Sequence, residues 1–507
     1  NIFVWNALID MYAKCGEIDR ARWLFDGLRS KNVVSWNLII HGYLRNGQPE
    51  KSIELFNKMQ NLGLEPDKFT LSNILRVHVQ NGRVDEARKL FMKIKGKDEV
   101  CWTTMIVGYA QNGKEEDALL LFRDMLRQNI RPDSHTLSNV ISCNARLPSL
   151  YHGQAVHGKA LLIGVQEDLL VSSTLVEMYC KCGVTKDALA LFSTVPFRSV
   201  VSWNAMIRGY TQNGQDLEAL HLYDKMLEEN LKPDGITFVA VLSACSHMGL
   251  VEKGKSYFNS MSELHGMGPT LDHYACMVSL LGHSGNLDKA IELINSMPHK
   301  ANDIIWSTVL SISTLRKDIH HGEMAAGRLV ELDPLNALPY IMLSNIYASC
   351  GWWKEVASTR ALMQRRNVKK FAAYSWVNID NELHKFVADD RNHPDTKIIY
   401  AELNSLINEL QKAGFVPNTG LVLHNVGEEE KLESICYHSE KIALAFYLSR
   451  KHHSVTPIRI MKNIRVCSDC HEFMKFVSKF KGRLIILRDA TRFHHFDAGW
   501  CSCKDAW

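Results

Sequence analysis

The pentapeptide Val33-Val34-Ser35-Trp36-Asn37 returns unchanged as Val200-Val201-Ser202-Trp203-Asn204, with looser echoes at Phe3-Val4-Trp5-Asn6 and Val100-Cys101-Trp102-Thr103. Ten positions after the last residue of each stands a glycine, Gly16, Gly47, Gly113 or Gly214. An apolar run with helical spacing follows, such as Ala118, Leu121 and Phe122, and in three cases a Pro-Asp closes the stretch (66–67, 132–133 and 233–234). The glycine ends one helix, the i, i+3, i+4 spacing marks a second, and the proline turn stops it. Recurrence of such a unit is the mark of a repeat architecture. On this register the units run 2–32, 33–67, 68–98, 99–133, 134–168, 169–199, 200–234, 235–270 and 271–302. No two-helix unit of that size can bury its own apolar face, so the units must stack into one continuous core, an α-solenoid of helix-turn-helix repeats. Trp36 and Trp203 are expected in that core, whereas the polar residue after each has no packing reason to be there.

A chain of 507 residues exceeds what a single hydrophobic core supports, which agrees with a solenoid or several domains. With 46% hydrophobic and 22% charged residues it reads as soluble, and no apolar run approaches the roughly 20 residues of a membrane span, so no membrane partner is expected. The net charge of +4 neither requires nor excludes a nucleic-acid partner. Of thirteen cysteines, nine are scattered through apolar helical patterns, where a thiol behaves as a small hydrophobe, and a reducing compartment is expected. The other four form two tight pairs, Cys467/Cys470 and Cys501/Cys503, each with histidine nearby, which points to metal. Neither an initiator Met nor an Arg/Ser-rich leader opens the sequence, so location is not read from the N-terminus.

The repeat length is close to that of tetratricopeptide arrays, which bind proteins, so the period alone leaves the partner open. In motif content, residues 1–302 resemble pentatricopeptide repeats of the plant organellar kind with mixed unit lengths. That resemblance implies that each unit reads one base of single-stranded RNA through its fifth and last residues. Carried over, Asn6/Asn32 implies C, Asn37/Asp67 U, Ser72/Asp98 G, Thr103/Asp133 G and Asn204/Asp234 U. Four pairs depart from the legible set: Ser138/Asp168, Ser173/Ser199, Val239/Thr270 and Ala275/Asn302. Val239 and Ala275 carry no hydrogen-bonding group in their side chains. Residues 303–370, with Ile304-Ile305-Trp306 and Ala337-Leu338-Pro339-Tyr340 opening two helical pairs, resemble the tetratricopeptide-like extension units of the same family.

After Trp376 short β-rich runs (377–379, 384–387, 458–460 and 484–487) interleave with helical patterns, so 371–507 is expected to be an α/β domain. Residues 371–440 hold twelve acidic against five basic residues and 441–507 five against thirteen, a basic wall suited to a phosphate-bearing substrate. His438-Ser439-Glu440 lies in a run with helical spacing, and Cys467-Ser468-Asp469-Cys470 opens another helix after the strand-like run 458–466. Zinc deamination needs three protein ligands, an open position for water, and a glutamate that moves protons without binding the metal. His438, Cys467 and Cys470 supply the ligands and Glu440 the proton shuttle, with Val466 standing where the usual signature has proline. A second cluster, His471, His495, Cys501 and Cys503, with His494 as the alternate to His495, would close a tetrahedral structural site. Two zinc ions, one catalytic and one structural, are expected, and the fold class is a solenoid followed by an α/β zinc deaminase-like domain.

The whole ending, 371–507, resembles the DYW deaminase domain of plant organellar RNA editing factors, including the Cys501-Ser502-Cys503 near its close. The resemblance implies hydrolytic deamination of a selected cytidine to uridine at 5′-CUGGNNUNNNNN followed by the edited C. Single-stranded RNA is the implied partner, accessory editing proteins are further ones, and an organelle, the mitochondrion ahead of the chloroplast, is the implied location. Two departures from the family stand out: Ala506 in Asp505-Ala506-Trp507 where the family has tyrosine, and Ala372-Ala373 after Phe371 where it has Pro-Gly. Neither touches a ligand or the shuttle, so a competent or weakened enzyme is expected. Two rival readings remain. A non-catalytic docking module would not need Glu440, and a protein-binding scaffold would not need Asn/Asp and Thr/Asp pairs in register.

Overall fold

The computed structural model describes residues 2–195, 198–369, 372–380, 382–423, 427–451 and 456–505; Phe371, Ala506 and Trp507 lie outside the described residues. From Ile2 to Arg365 the elements are helices, in consecutive pairs such as Val33–Arg45 with Pro49–Asn61. The sequence dictates each boundary of that pair. Asn32 is the N-cap, its side chain accepting from the Ser35 amide at 2.9 Å, which satisfies one of the orphan donors at the helix start. Gly47, at φ +70°, makes the left-handed turn between the helices, and Pro49 sits in the first turn, where its missing N–H costs nothing. Apolar residues at helical spacing then face inward. Trp36 is 3% exposed and meets the edge of Phe25 with ring centroids 4.9 Å apart, and Trp102 meets Phe91 at 5.1 Å. Burial of Phe25 alone contributes about 2 kcal/mol.

The chain divides into two compact units, Asn1–Cys182 with Asp187–Phe197, and Gly183–Lys186 with Arg198–Trp507. The first consists of helical repeats. In the second, helical repeats are followed by a domain built on a six-stranded sheet, β1 (Tyr374–Ile379), β2 (Glu382–Val387), β3 (Ile458–Lys462), β4 (Ile485–Arg488), β5 (Phe493–Asp497) and β6 (Trp500–Cys501), in the order β2-β1-β3-β4-β5-β6. Only β3 and β4 pair in parallel, joined through the helix Ser468–Lys481; the other pairings are antiparallel. Period-2 alternation sends Ile458, Ile460, Ile485, Leu487 and Phe496 to the face covered by the helices Thr396–Lys412, Ser439–Arg450 and Ser468–Lys481. Met461, Ile486 and Phe493 lie on the opposite face.

The fold class is the expected one, an α-solenoid followed by a C-terminal α/β domain. The strand expected to reach Val466 ends at Lys462, because Asn463 turns its amide oxygen to the Tyr374 backbone N–H, 2.8 Å away, and the chain leaves the sheet. Strand β5 was not anticipated, since its Phe-His-His-Phe-Asp sequence has no clean alternation of apolar and polar residues. No helix among the described residues is long and apolar enough to cross a membrane.

Candidate active site and nucleic-acid interface

Two helix starts converge on the first cluster that could hold a metal ion. His438 is the N-cap of Ser439–Arg450 and Cys467 the N-cap of Ser468–Lys481, so both project from helix N-termini, where a thiolate is favoured. His438 Nδ1 lies 3.4 Å from both Cys467 Sγ and Cys470 Sγ. Tetrahedral zinc at its usual bond lengths separates such donors by about 3.5 Å. The hydrogen bond with Cys470 and, against burial, the one with His438 hold the Cys467 thiol down at about 5, while burial raises Cys470.

Glu440 is fully buried beside these ligands, with a carboxylate oxygen within 4.8 Å of each. Lys462 Nζ donates to its Oε2 at 2.5 Å and Ser439 Oγ at 3.2 Å, whereas Oε1 is buried with no hydrogen-bond partner. Burial favours the protonated acid, but the charges of Lys462 and His438 outweigh it and bring Glu440 down to about 2. An ionised carboxylate with one unmet buried oxygen, next to three soft ligands, fits a zinc site that keeps a position open for water.

The two ligand-bearing helices are fastened together by a buried ion pair, Lys441 Nζ to Asp469 Oδ2 at 2.6 Å. Lys441 also donates to the Ile435 carbonyl and lies over the Phe473 ring, and Asp469 accepts from the Asn418 N–H, so neither charge is left uncompensated. Lys462, Lys441 and Asp469 were not anticipated. The signal was a lysine inside each of two apolar runs, 441–448 and 458–462.

The second cluster brings together His494, the alternate, where His495 was favoured. His471, His494, Cys501 and Cys503 are all buried with donor atoms within 4.8 Å of one another. His471 Nε2 lies 3.2 Å from Cys503 Sγ, Cys503 Sγ 3.2 Å from Cys501 Sγ, and His494 Nδ1 3.7 Å from Cys501 Sγ. His495 points the other way, because adjacent residues of a strand face opposite sides of a sheet. Its Nε2 meets Asn213 Oδ1 at 3.0 Å, and burial together with the charge of Arg459 lowers it to about 4, so it stays neutral. Around that contact Ser502 approaches Gly214 so closely that a Cβ there would lie 2.9 Å from the Ser502 carbonyl oxygen.

Asp489 stands behind His494. Its Oδ2 lies 3.3 Å from His494 Nε2 and accepts from the Val466 N–H at 3.2 Å, while Oδ1 accepts from the N–H groups of Thr491 and Arg492 at 2.7 and 3.0 Å. A carboxylate on the far nitrogen of a histidine fixes which nitrogen is offered to a metal. The same oxygen tethers the residue before Cys467. Ala372, at the position of the expected Pro-Gly, is exposed, and its carbonyl accepts from Asn463 Nδ2 at 3.0 Å.

In the repeats, the last residue of each unit is the N-cap of the following helix. Asn32, Asp67, Asp98, Asp133, Ser199, Asp234 and Asn302 each accept from the backbone N–H three residues on; Asp168 caps Leu170 and Val171. The fifth residue meets that cap in two units. Asn37 Nδ2 donates to Asp67 Oδ2 at 2.6 Å, and Asn204 Nδ2 to Asp234 Oδ1 at 2.9 Å. Asn6 and Asn32 are joined through Ser35 Oγ, 2.8 and 2.9 Å from their amide oxygens. Thr103 Oγ1 lies 2.6 Å from Thr136 Oγ1, on the residue that Asp133 caps. Ser72 bonds the Lys68 carbonyl at 2.8 Å, and Asp98 pairs with the Lys68 ammonium at 3.1 Å. Ser138 is buried, and Ser173 donates to the Leu169 carbonyl at 2.6 Å. Val239, Ala275 and Thr270 make no such pairing, Thr270 forming a capping box with His273 instead.

One feature of this face was not anticipated. Three residues before the fifth position, a large apolar side chain stands in solvent in unit after unit: Val34, Phe69, Val100, Val201 and Ile236 are between 52% and 64% exposed. Their regular recurrence at one position of the unit was legible as a pattern, and a row of exposed apolar side chains marks an interaction surface.

Residues 414–507 match the DYW family of nucleic acid deaminases, 316–378 the E motif and 383–410 the E+ motif. Residues 31–77, 97–146 and 198–247 match the PPR repeat family, and 3–33, 69–98, 236–265 and 272–300 the PPR repeat. A putative pentatricopeptide repeat-containing protein of Arabidopsis thaliana is 41% identical over 542 residues, covering 100% of this chain and 73% of its own length. A second from the same plant is 43% identical over 446 residues, covering 87% of this chain and 45% of its own. A third, named chloroplastic, is 37% identical over 545 residues, covering 99% and 64%. The chain therefore spans less than two thirds of the length of two of these relatives. The crystal structure of a pentatricopeptide repeat protein from maize is 17% identical and covers 73% of this chain and 64% of that one, at a TM-score of 0.46, too low to add to the repeat matches. With repeat matches over 3–146 and 198–300, a deaminase match over 414–507 and a relative 41% identical across 73% of its length, the chain belongs to the plant pentatricopeptide repeat family, in the class that carries E, E+ and DYW deaminase segments.

Proposed function

We propose that the repeats bind single-stranded RNA one base per unit and that the C-terminal domain converts a chosen cytidine of that RNA to uridine, releasing ammonia. The observation that carries this reading is Glu440, an ionised, buried carboxylate with one unmet oxygen beside His438, Cys467 and Cys470. A purely structural metal site would have no use for it. Zinc held by those three residues would supply a water polarised for attack on C4 of cytosine. Glu440 would take one proton of that water and pass it to N3, and would then carry the second, from the hydroxyl left on C4, to the departing amino group, while Lys462 keeps the carboxylate oriented. His471, His494, Cys501 and Cys503 would hold a second zinc, which would tie the C-terminal hairpin to the helix that carries Cys470.

Base choice follows from the donors and acceptors left over. In Asn37/Asp67 one amide hydrogen is taken by the carboxylate, so the other is available for a uracil carbonyl and the carboxylate for uracil N3–H. Cytosine would set the lone pair of its N3 against the carboxylate. An organellar location belongs to the same reading, with the mitochondrion as our expectation although three relatives are named chloroplastic.

The test is to incubate the zinc-loaded protein with RNA containing 5′-CUGGNNUNNNNN and the following C, and to sequence for conversion beside Glu440→Ala. Conversion by the unaltered protein alone, with zinc content and RNA affinity equal in both, is the expected result. Site-specific binding without conversion would overturn the catalytic half and leave the domain as a docking module.

A further inference from the structure

The fifth and last residues of a unit do not stand alone. In each of the five legible units the third residue of the next unit touches the fifth. Ser35 meets Asn6 at 2.8 Å, Thr70 bonds Asn37, Thr136 meets Thr103 at 2.6 Å, Thr237 donates to Asn204 Oδ1 at 2.6 Å, and Cys101 Sγ lies 3.2 Å from Ser72 Oγ. The geometry is general because this residue is the third of its helix, and helical side chains lean back toward the helix start, which here means toward the preceding unit.

Capping alone does not account for the contact. Thr237 Oγ1 accepts from the Asp234 N–H at 3.1 Å, which completes a capping box, and that role uses the oxygen as an acceptor. Its single hydrogen is left over. Asn204 Oδ1 is nearer, at 2.6 Å, than Asp234 Oδ1, at 2.9 Å, and the latter already takes the Thr237 N–H and the Asn204 amide. The hydrogen therefore goes to the asparagine, whose side chain is held at both ends, its nitrogen by the carboxylate and its oxygen by the threonine. The buried asparagines, 6% and 7% exposed, are aimed by this arrangement. The sequence supports the same division. A hydroxyl stands at this position after four of the five legible units, Cys101 being the exception, but after only one of the other four, which are followed by Val171, Ser202, His273 and Ile305.

We infer that this third side chain, Thr70 and Thr237 in the two Asn/Asp units, is a positioning residue for base recognition, so that a base is read by three residues rather than two. The inference rests on the proposed RNA-reading function. The test uses the full chain and measures the affinity ratio for two RNAs that differ only by U or C at the base facing Asn37/Asp67, for the unaltered protein, Thr70→Val, Thr70→Ser and Asn37→Ala. Losing one neutral hydrogen bond changes an equilibrium by about fivefold. Thr70→Val is expected to reduce the U preference by that factor, Thr70→Ser to keep it, and the preference at the base facing Asn204/Asp234 to stay unchanged in both, which a general loss of stability would not spare. A Thr70→Val protein that keeps its U preference while Asn37→Ala loses it would overturn the inference and leave the base-reading function standing. Retention of the preference by Asn37→Ala as well would overturn both. Thr237→Val, read at the base facing Asn204, repeats the measurement at a second site should Thr70→Val not fold.

Discussion

His494 and His495 are neighbours of identical chemistry, yet one joins two thiols and the other an asparagine of the repeats. The difference comes entirely from strand alternation. Replacing His494 with alanine is therefore expected to lower the zinc content from two ions per chain to one, while His495→Ala keeps both, as read by elemental analysis of the purified protein. Equal zinc loss from the two variants would contradict the assignment. The cysteine pairs and His438 were legible because metal ligands recur at short, fixed spacings along the chain. The choice between adjacent histidines was not, since it depends on a strand whose sequence, Phe493-His494-His495-Phe496, shows no alternation of polarity. The partners of Lys462 and Asp489 were not legible for another reason. Each of these two acts on a residue from a different element, Glu440 and His494, and only the packed sheet brings them together.

At the scale of helices, the repeat register was legible to within a residue or two because three independent signals coincide in it: the glycine turn, the N-cap and the buried tryptophan. What the register could not convey is how closely neighbouring helices approach. A Cβ on Gly108 would lie 2.6 and 2.8 Å from the two methyls of Val79, a β-branched side chain that has no other well to enter. Gly158, in the helix Leu150–Ile163, has nothing within 4 Å of the same position. Alanine in an exposed helix gains about 1 kcal/mol over glycine, whereas overpacking costs about 1–3 kcal/mol. Gly158→Ala should thus raise the thermal midpoint and Gly108→Ala lower it, and a stabilising Gly108→Ala would mean that the two helices are not in contact there. The N-caps carry a second lesson. Asn32, Asp67 and Asp234, which the family resemblance makes base-facing, each also start a helix, so their replacement is expected to weaken the repeat whatever it does to base choice.

Across the whole molecule, the proposed function gives selection to the repeats and chemistry to the C-terminal domain. Within the second compact unit the two are in contact. The β5 and β6 strands that bear His494 and Cys501 press Phe493 toward Gly183 and His495 onto Asn213, and Cys503, just beyond, meets His471 on the helix that also holds Cys470. The organisation into repeats and an α/β domain was legible because period and composition both change near residue 370. The packing of that domain against repeat turns was not, because glycines and an asparagine at turns carry no mark of what lies across from them. The most direct measurement is C-to-U conversion by the unaltered protein and by Asn37→Thr on two RNAs that differ only by U or G at the base facing that unit. The unaltered protein is expected to convert the U-containing RNA faster and Asn37→Thr to reverse the order, with the edited position unchanged. Equal conversion of both RNAs by both proteins would contradict it.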